Sequence, residues 1–403
     1  MDYHTQTQAA GREILPDLVR AFAILGIVVV NVAAFGYPLL DGYGAAGLAT
    51  TADKGAAFAV NSLALAKSYS LFSIMFGVGL FYQMRSAERA GVSARARYFR
   101  RMAGLLVLGV LHIWLAFIGD ILVIYAITGC FLWLFRDSEV KSLRLTGTWI
   151  LVAVIALSLL SAGILALIAN VDPGFMEEFN DLMGLGDPEP LKTGNFIEAA
   201  NYRVGTYLVL LQILASGQAI LVLAYFLWGL ALAKSGLIAR PDAPEWGRAR
   251  RIALPLGLAI SVAGAAIMWG GSSQFEPRVA LGMGIIMLGA PLSTLGYMGL
   301  LAKWAAGPRS ALKTFMARGG TATLTAYLLQ SAILSVVFTG YGFGKYGEMS
   351  AFPSVLLAFG VGLFTLAFTS LWRTRFPRGP MEWLLRKWTY GGDKRESAHS
   401  AAS

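Results

Sequence analysis

The stretch GVLHIWLAFIGDILVIYAITG, Gly109 to Gly129, is apolar enough for a lipid bilayer yet holds a histidine and an aspartate, His112 and Asp120. Ionisable groups inside a membrane are costly and usually face a cavity or a partner. A neutral imidazole donates at one nitrogen and accepts at the other, with a pKa near working pH, which suits general-base catalysis. His112 therefore reads either as a base or as a buried ring bonded to a neighbouring helix. Asp120 follows Gly119 and precedes an apolar run, the pattern of a helix N-cap. On one continuous helix it would lie about 12 Å beyond His112, out of hydrogen-bond reach. Only a turn after roughly Ile118 that folds it inward would let it orient the imidazole; a substrate contact is the other functional reading.

Further polar groups lie in apolar surroundings. In LPDLVRAFAILGIVVVN, Asp17 and Arg20 are three apart and pair on one helix face. Asn31 lies three turns beyond Arg20 on that face, either as packing glue between helices or as a donor to a substrate carbonyl. With the hydrocarbon boundary near Leu18 and Met102, Asn31 lies about 20 Å deep and His112 about 15 Å, both near the midplane. Lys67 reaches similar depth if its span starts at Phe58, or snorkels to the outer interface if the span starts after it; Asn61 shares that ambiguity. Gln330 is the remaining polar-core candidate. Arg97, Arg100 and Arg101 precede one apolar helix, and Arg318, Gly319 and Gly320 another. Basic helix N-termini bind phosphates, and positive-inside anchoring explains such arginines equally simply. No metal centre is expected, because His4 and His399 belong to the tails and Cys130 is the single cysteine.

The elements that must hold these groups are membrane helices. With 403 residues, 56% hydrophobic and 14% charged, the composition excludes an ordinary soluble domain. Apolar runs long enough to cross a bilayer recur at 15–37, 58–83, 102–118, 121–135, 146–169, 208–233, 253–270, 279–302, 322–340 and 354–372. The expectation is an all-α, polytopic integral membrane protein of about ten transmembrane helices; a β-barrel would alternate in short strands. Of the 33 Lys and Arg residues, 26 fall on the side of the N-terminus, six on the other, and Arg20 inside the first helix. That bias predicts both termini in the cytoplasm. The net charge of +10 then faces anionic lipid, with no need for nucleic acid. Asp2 and Glu13 argue against a cleavable signal peptide.

Residues 12–391 read as one transmembrane helical domain, followed by a disordered cytoplasmic tail at 392–403. The longest loop, Asn170 to about Tyr207, carries seven acids and reads as a solvated connection or as a lid over a cavity. Glycines inside helices, Gly77 with Gly79, Gly282 with Gly284 and Gly360 with Gly362, read as packing positions. RGPMEWLLRKWTY, Arg378 to Tyr390, reads as a short helix begun by Pro380, with Trp383, Leu384 and Trp388 in the membrane interface and Arg386 and Lys387 towards headgroups.

Six blocks in order resemble the YeiB-like family of bacterial membrane proteins, domain-of-unknown-function family 418. They are LPDLVRAFAILGIVVVN, KSYSLFSIMFGVG, the pair Arg100-Arg101, GVLHIWLAFIGDILVIYA, RGGTATLTAYLLQS and GPMEWLLRKWTYG, spanning roughly Arg12 to Gly391. The first helix and the Phe-Ser-x-x-Phe-Gly block also resemble the wider group of transmembrane acyltransferases that includes heparan-alpha-glucosaminide N-acetyltransferase. Two positions depart from the family pattern: Ala21 follows Arg20 where glycine is usual, and Ala326 precedes Tyr327 where asparagine is common.

The resemblance implies a bacterial cytoplasmic-membrane protein with a thioester donor entering from the cytoplasm and a small-molecule or glycan acceptor from outside. Combined with the residues above, it assigns roles. Arg100, Arg101 and Arg318 would hold the polyanionic end of acyl-CoA. Asn31 would donate to the developing oxyanion, His112 would take the acceptor proton, and Asp120 would position the acceptor. A transporter or exporter using the same groups as a midplane binding site is the alternative. Membrane lipids are expected partners, and homodimerisation stays open.

Overall fold

In the computed structural model the described residues are 13–38, 42–172, 188–271, 273 and 275–393, apart from the side chains of 212–216. They form helices and connections, with no strand among them. The principal helices are α1 (Ile14–Asn31), α2 (Thr51–Leu63), α3 (Lys67–Arg89), α4 (Ala94–Leu115), α5 (Leu122–Leu132), α6 (Val140–Val171) and α7 (Phe196–Ser216). The second half adds α8 (Gln218–Lys234), α9 (Leu254–Ile267), α10 (Pro277–Ala306), α11 (Ala311–Gly320), α12 (Thr323–Phe338), α13 (Ala351–Arg375) and α14 (Pro380–Tyr390).

Seven segments are long and apolar enough to cross a membrane unaided, and an eighth counts if α11 and α12, bent by 79°, form one broken span. Helices occupy all ten predicted stretches, but those at 121–135 and 208–233 are short; the latter is interrupted at Gly217 between α7 and α8. The outer faces suit lipid. α6 exposes Trp149, Leu157, Leu160 and Leu167, and α13 exposes Leu356, Phe359, Leu363 and Phe364. Large apolar side chains displayed in rows along long helices mark a surface whose solvent is hydrocarbon.

Close helix contacts depend on missing side chains. A Cβ at Gly77 of α3 would meet the Phe226 carbonyl oxygen at 2.0 Å, and one at Gly229 of α8 would meet the Ile74 carbonyl oxygen at 2.0 Å. The two backbones therefore touch at a point where only glycine fits. Gly282 packs in the same way against α9, whereas Gly79 and Gly360 face open space and have no such role.

Three connections differ from expectation. The second span is two helices: the chain breaks at 64–66, with Ala66 in the left-handed region at φ 65°. The loop from Asn170 is shorter than its sequence reading, since α6 runs to Val171 and α7 already begins at Phe196. Asp172, Glu189 and Glu198 are described, while the acids at 177–187 lie outside the described residues. At the C-terminus, α14 starts at Pro380 and exposes Trp383, Leu384 and Trp388, the residues expected in the interface. Asp393 is not part of a loose tail: it is ion-paired to both Arg97 (2.6 Å) and Arg100. Residues 394–403 lie outside the described part.

Asp53 joins two helix starts. It completes a capping box with Thr50 at α2 and accepts from the Phe352 amide (2.9 Å) at the start of α13. Asp53→Ala leaves three donors without this acceptor, a loss of about 2 kcal/mol, read as a drop of several degrees in the melting temperature in detergent.

Candidate functional site

α4 ends at Leu115, and the turn that follows decides the site. The chain reverses over 116–121 so that Asp120 folds back against the helix it has just left. Asp120 Oδ2 lies 2.7 Å from His112 Nδ1, and its Oδ1 accepts from the Val123 amide at 2.8 Å. Asp120 therefore does two things at once: it accepts from the first turn of α5, as a cap does, and it orients the imidazole through the inward turn. Gly109 makes the approach feasible, because a Cβ there would stand 2.9 Å from Asp120 Oδ1 and 2.8 Å from the Val123 nitrogen.

A carboxylate only accepts, so the bond puts the imidazole proton on Nδ1 and leaves a lone pair on Nε2. This is the carboxylate–imidazole arrangement that prepares a general base. Nε2 is buried and has no hydrogen-bond partner among the described residues. The ring of Tyr327 from α12 lies 4.9 Å from the imidazole centroid, and that of Phe117 lies 6.1 Å away.

Those two rings belong to different cavities. Phe117 and Asp120 line a cavity of about 370 Å³ that also holds Asn31, Asn61 and Lys54. Tyr327 lines another of about 250 Å³, with Arg20 and Arg101 at its walls. The imidazole lines neither cavity itself; it is buried against Phe117 and Asp120 of one and Tyr327 of the other. The Arg101 cavity shares Arg101, Thr321, Glu382 and Leu385 with an adjoining space of about 310 Å³ bordered by Arg373, Arg378 and Arg386.

The predicted arginines separate here. Arg100 is committed to the C-terminal segment, through Nε to the Thr389 carbonyl (2.8 Å), Nη1 to that of Gly392 (3.2 Å) and the Asp393 pair. Arg318 is exposed and lines neither of these adjoining spaces. Arg100 therefore has its donors engaged by main-chain carbonyls and Asp393, and Arg318 stands apart from both spaces. The N-terminus of α12, expected to be a phosphate site, is occupied by Glu382, which accepts from the Leu324 (2.7 Å) and Thr325 (3.1 Å) amides. Arg101 is different. It is half-buried, its Nε is buried without a partner, and no carboxylate pairs with it among the described residues.

The other polar-core residues are placed as follows. Asp17 and Arg20 form the expected pair at 3.4 Å. Lys67 is fully buried inside the bundle, its Nζ donating to the Asn61 carbonyl at 3.3 Å, so it does not snorkel to an interface. Gln330 donates to Thr365 Oγ1 (3.0 Å), tying α12 to α13. Asn31 lines the larger cavity, and its side chain makes no hydrogen bond to protein among the described residues.

Two supporting residues escaped the sequence reading. Tyr327 sits in an apolar helix with no charge to mark it. Arg203 of α7 is buried and donates to the carbonyls of Ile113 (3.1 Å), Trp114 (2.9 Å) and Leu115 (3.3 Å). Those are the orphan acceptors at the end of α4, where a cation is also favoured by the helix dipole. Arg203 thus cements the turn that brings Asp120 to His112. Its partners lie about 90 residues away and are main-chain atoms, so no side-chain pattern could have announced it.

Comparison with known proteins gives the family. A chain 30% identical over 402 residues, covering 93% of both sequences, is the "Uncharacterized protein YxaH" of Bacillus subtilis (strain 168). This chain belongs to the DUF418 family. The family model, described as "Protein of unknown function (DUF418)", matches residues 232–392. The "Uncharacterized protein YeiB" of Escherichia coli (strain K12) is 28% identical over 389 residues, covering 94% of this DUF418 chain and 96% of its own. No solved structure matches. The family-model match begins within α8, so the His112–Asp120 pair lies outside it, whereas Tyr327 and Glu382 lie inside.

Proposed function

We propose that this DUF418 protein is an acyl-CoA-dependent acyltransferase of the bacterial cytoplasmic membrane, with ten spans and both termini in the cytoplasm. The observation that carries the reading is the carboxylate-oriented imidazole buried against lining residues of two cavities. On this reading the Arg101 cavity opens to the cytoplasm and takes the donor, and the Asn31 cavity takes the acceptor from the outer side. The acceptor hydroxyl or amine attacks the thioester carbonyl while its proton passes to His112 Nε2. The tetrahedral intermediate collapses, the C–S bond breaks, and the imidazolium returns the proton to the departing thiolate of coenzyme A. Asn31 supplies a donor to the oxyanion, and Asp120 holds the ring rather than the acceptor. Because Nε2 is enclosed, this mechanism requires Phe117 or Tyr327 to rotate and expose it to one cavity or the other.

The test is direct. Purified protein in nanodiscs, given acetyl-CoA and a mixture of hydroxylated or amine acceptors, releases free thiol in an acceptor-dependent way. Absence of acyl-CoA binding sinks the reading. Two cavities whose lining residues meet one buried imidazole also suit alternating access. Substrate-dependent flux into sealed vesicles, with the substrate chemically unchanged, would favour a transporter instead.

A further inference from the structure

Many buried hydroxyls of the bundle are satisfied locally: Ser62, Ser73, Ser261 and Thr369 each bond a carbonyl one helical turn away. The Asn31 cavity differs. Asn31, Asn61, Gln218, Lys54 and Tyr43 all line it, and none of these side chains bonds to protein among the described residues. The Tyr43 hydroxyl is buried and without a partner. Burial raises its pKa above the ordinary phenol value, reinforced by neighbouring Tyr37, so the hydroxyl keeps its proton and remains a donor. Buried polar groups in native proteins are almost always satisfied, so the orphaned Tyr43 hydroxyl, beside four half-buried side chains whose polar ends are free in the same space, calls for a ligand.

The chemistry of that ligand follows from the lining. Apart from Asp120, which is already engaged with His112 and Val123, no acid faces the cavity; Lys54 is its one lysine and has no ion-pair partner among the described residues. Amide, phenol and ammonium donors want oxygen acceptors, at least one of them anionic. The Phe58 and Trp269 rings, 5.7 Å apart and steeply inclined, give the wall a flat apolar face. A volume of about 370 Å³ admits a small metabolite.

The geometry points to a binding site for a small polyhydroxylated molecule carrying one carboxylate or phosphate, with Lys54 contacting the anionic group and Asn61, Gln218 and Tyr43 contacting hydroxyls. The inference rests on the acceptor role given to this cavity, but its test needs no acyl donor. Protein in nanodiscs is titrated calorimetrically with glucose 6-phosphate, gluconate, glucose and glucosamine. Glucose 6-phosphate and gluconate bind at least about tenfold more tightly than glucose, in line with a charge-assisted contact. Lys54→Gln removes that preference and leaves glucose affinity unchanged, while Lys54→Arg retains it.

The proposal is overturned if glucose binds as tightly as glucose 6-phosphate. It is equally overturned if Lys54→Gln weakens neutral and anionic probes alike, or if none of the four binds. Selective binding of the anionic probes without acyl transfer would uphold this site and sink the transferase reading, so the two failures are distinguishable.

Discussion

Asp120→Asn is expected to lower acyl transfer by about three to four orders of magnitude, with acyl-CoA affinity unchanged. The carboxylate holds the imidazole proton on Nδ1. An asparagine in the same place can keep one oxygen on the Val123 amide and turn its NH₂ towards Nδ1. Nδ1 must then accept, the proton moves to Nε2, and the lone pair that would take the acceptor proton is gone. The corresponding tautomer reversal in Ser-His-Asp triads costs roughly ten-thousandfold with geometry intact. Because the cap survives, the fold survives, which separates this variant from Asp120→Ala. Single-turnover transfer measures the loss, and ¹⁵N spectra of labelled histidine report the proton moving from one ring nitrogen to the other. His112→Gln should lose at least about a hundredfold. Wild-type turnover in either variant would remove the imidazole from the mechanism.

Arg101→Gln is expected to weaken acyl-CoA binding by about ten- to a hundredfold, the size of one charge-assisted hydrogen bond, while Arg318→Gln leaves it unchanged. The two arginines look alike in sequence, each beside a helix start. Arg318 is exposed to solvent, whereas Arg101 borders both adjoining cavities with its Nε buried and unbonded. A guanidinium with one donor buried and unbonded, and no carboxylate paired to it among the described residues, lowers stability until an anion arrives. The same substitution should therefore raise the melting temperature of the ligand-free protein slightly, as expected when a functional group carries strain. Loss of affinity with a gain in stability is the signature. Equal losses in both would mean that Arg101 serves the fold and not a ligand.

The helices and the functional groups were readable to different degrees. Each apolar run is a local property, so helices were found at all ten expected stretches, and the Asp17–Arg20 pair followed from spacing alone. The break at Ala66 carried no glycine or proline to mark it, and a left-handed alanine cannot be anticipated from its type. Arg100 and Arg101 are neighbours in the chain, but a helix turns by about 100° per residue. One therefore points to the C-terminal segment and the other into a cavity, a division that needs the position of α14.

Composition and pattern by themselves determined that this chain is a bundle of apolar helices with a few ionisable groups set among them. They also singled out His112 and Asp120, because hydropathy and residue type are written position by position. Only the tertiary structure decided that the two meet. Their pairing requires α4 to stop at Leu115, and that stop is held by Arg203, whose bonds are to carbonyls of a remote helix end. A main-chain acceptor has no side-chain identity, so contacts of this kind leave no mark in a sequence until the backbone brings them together.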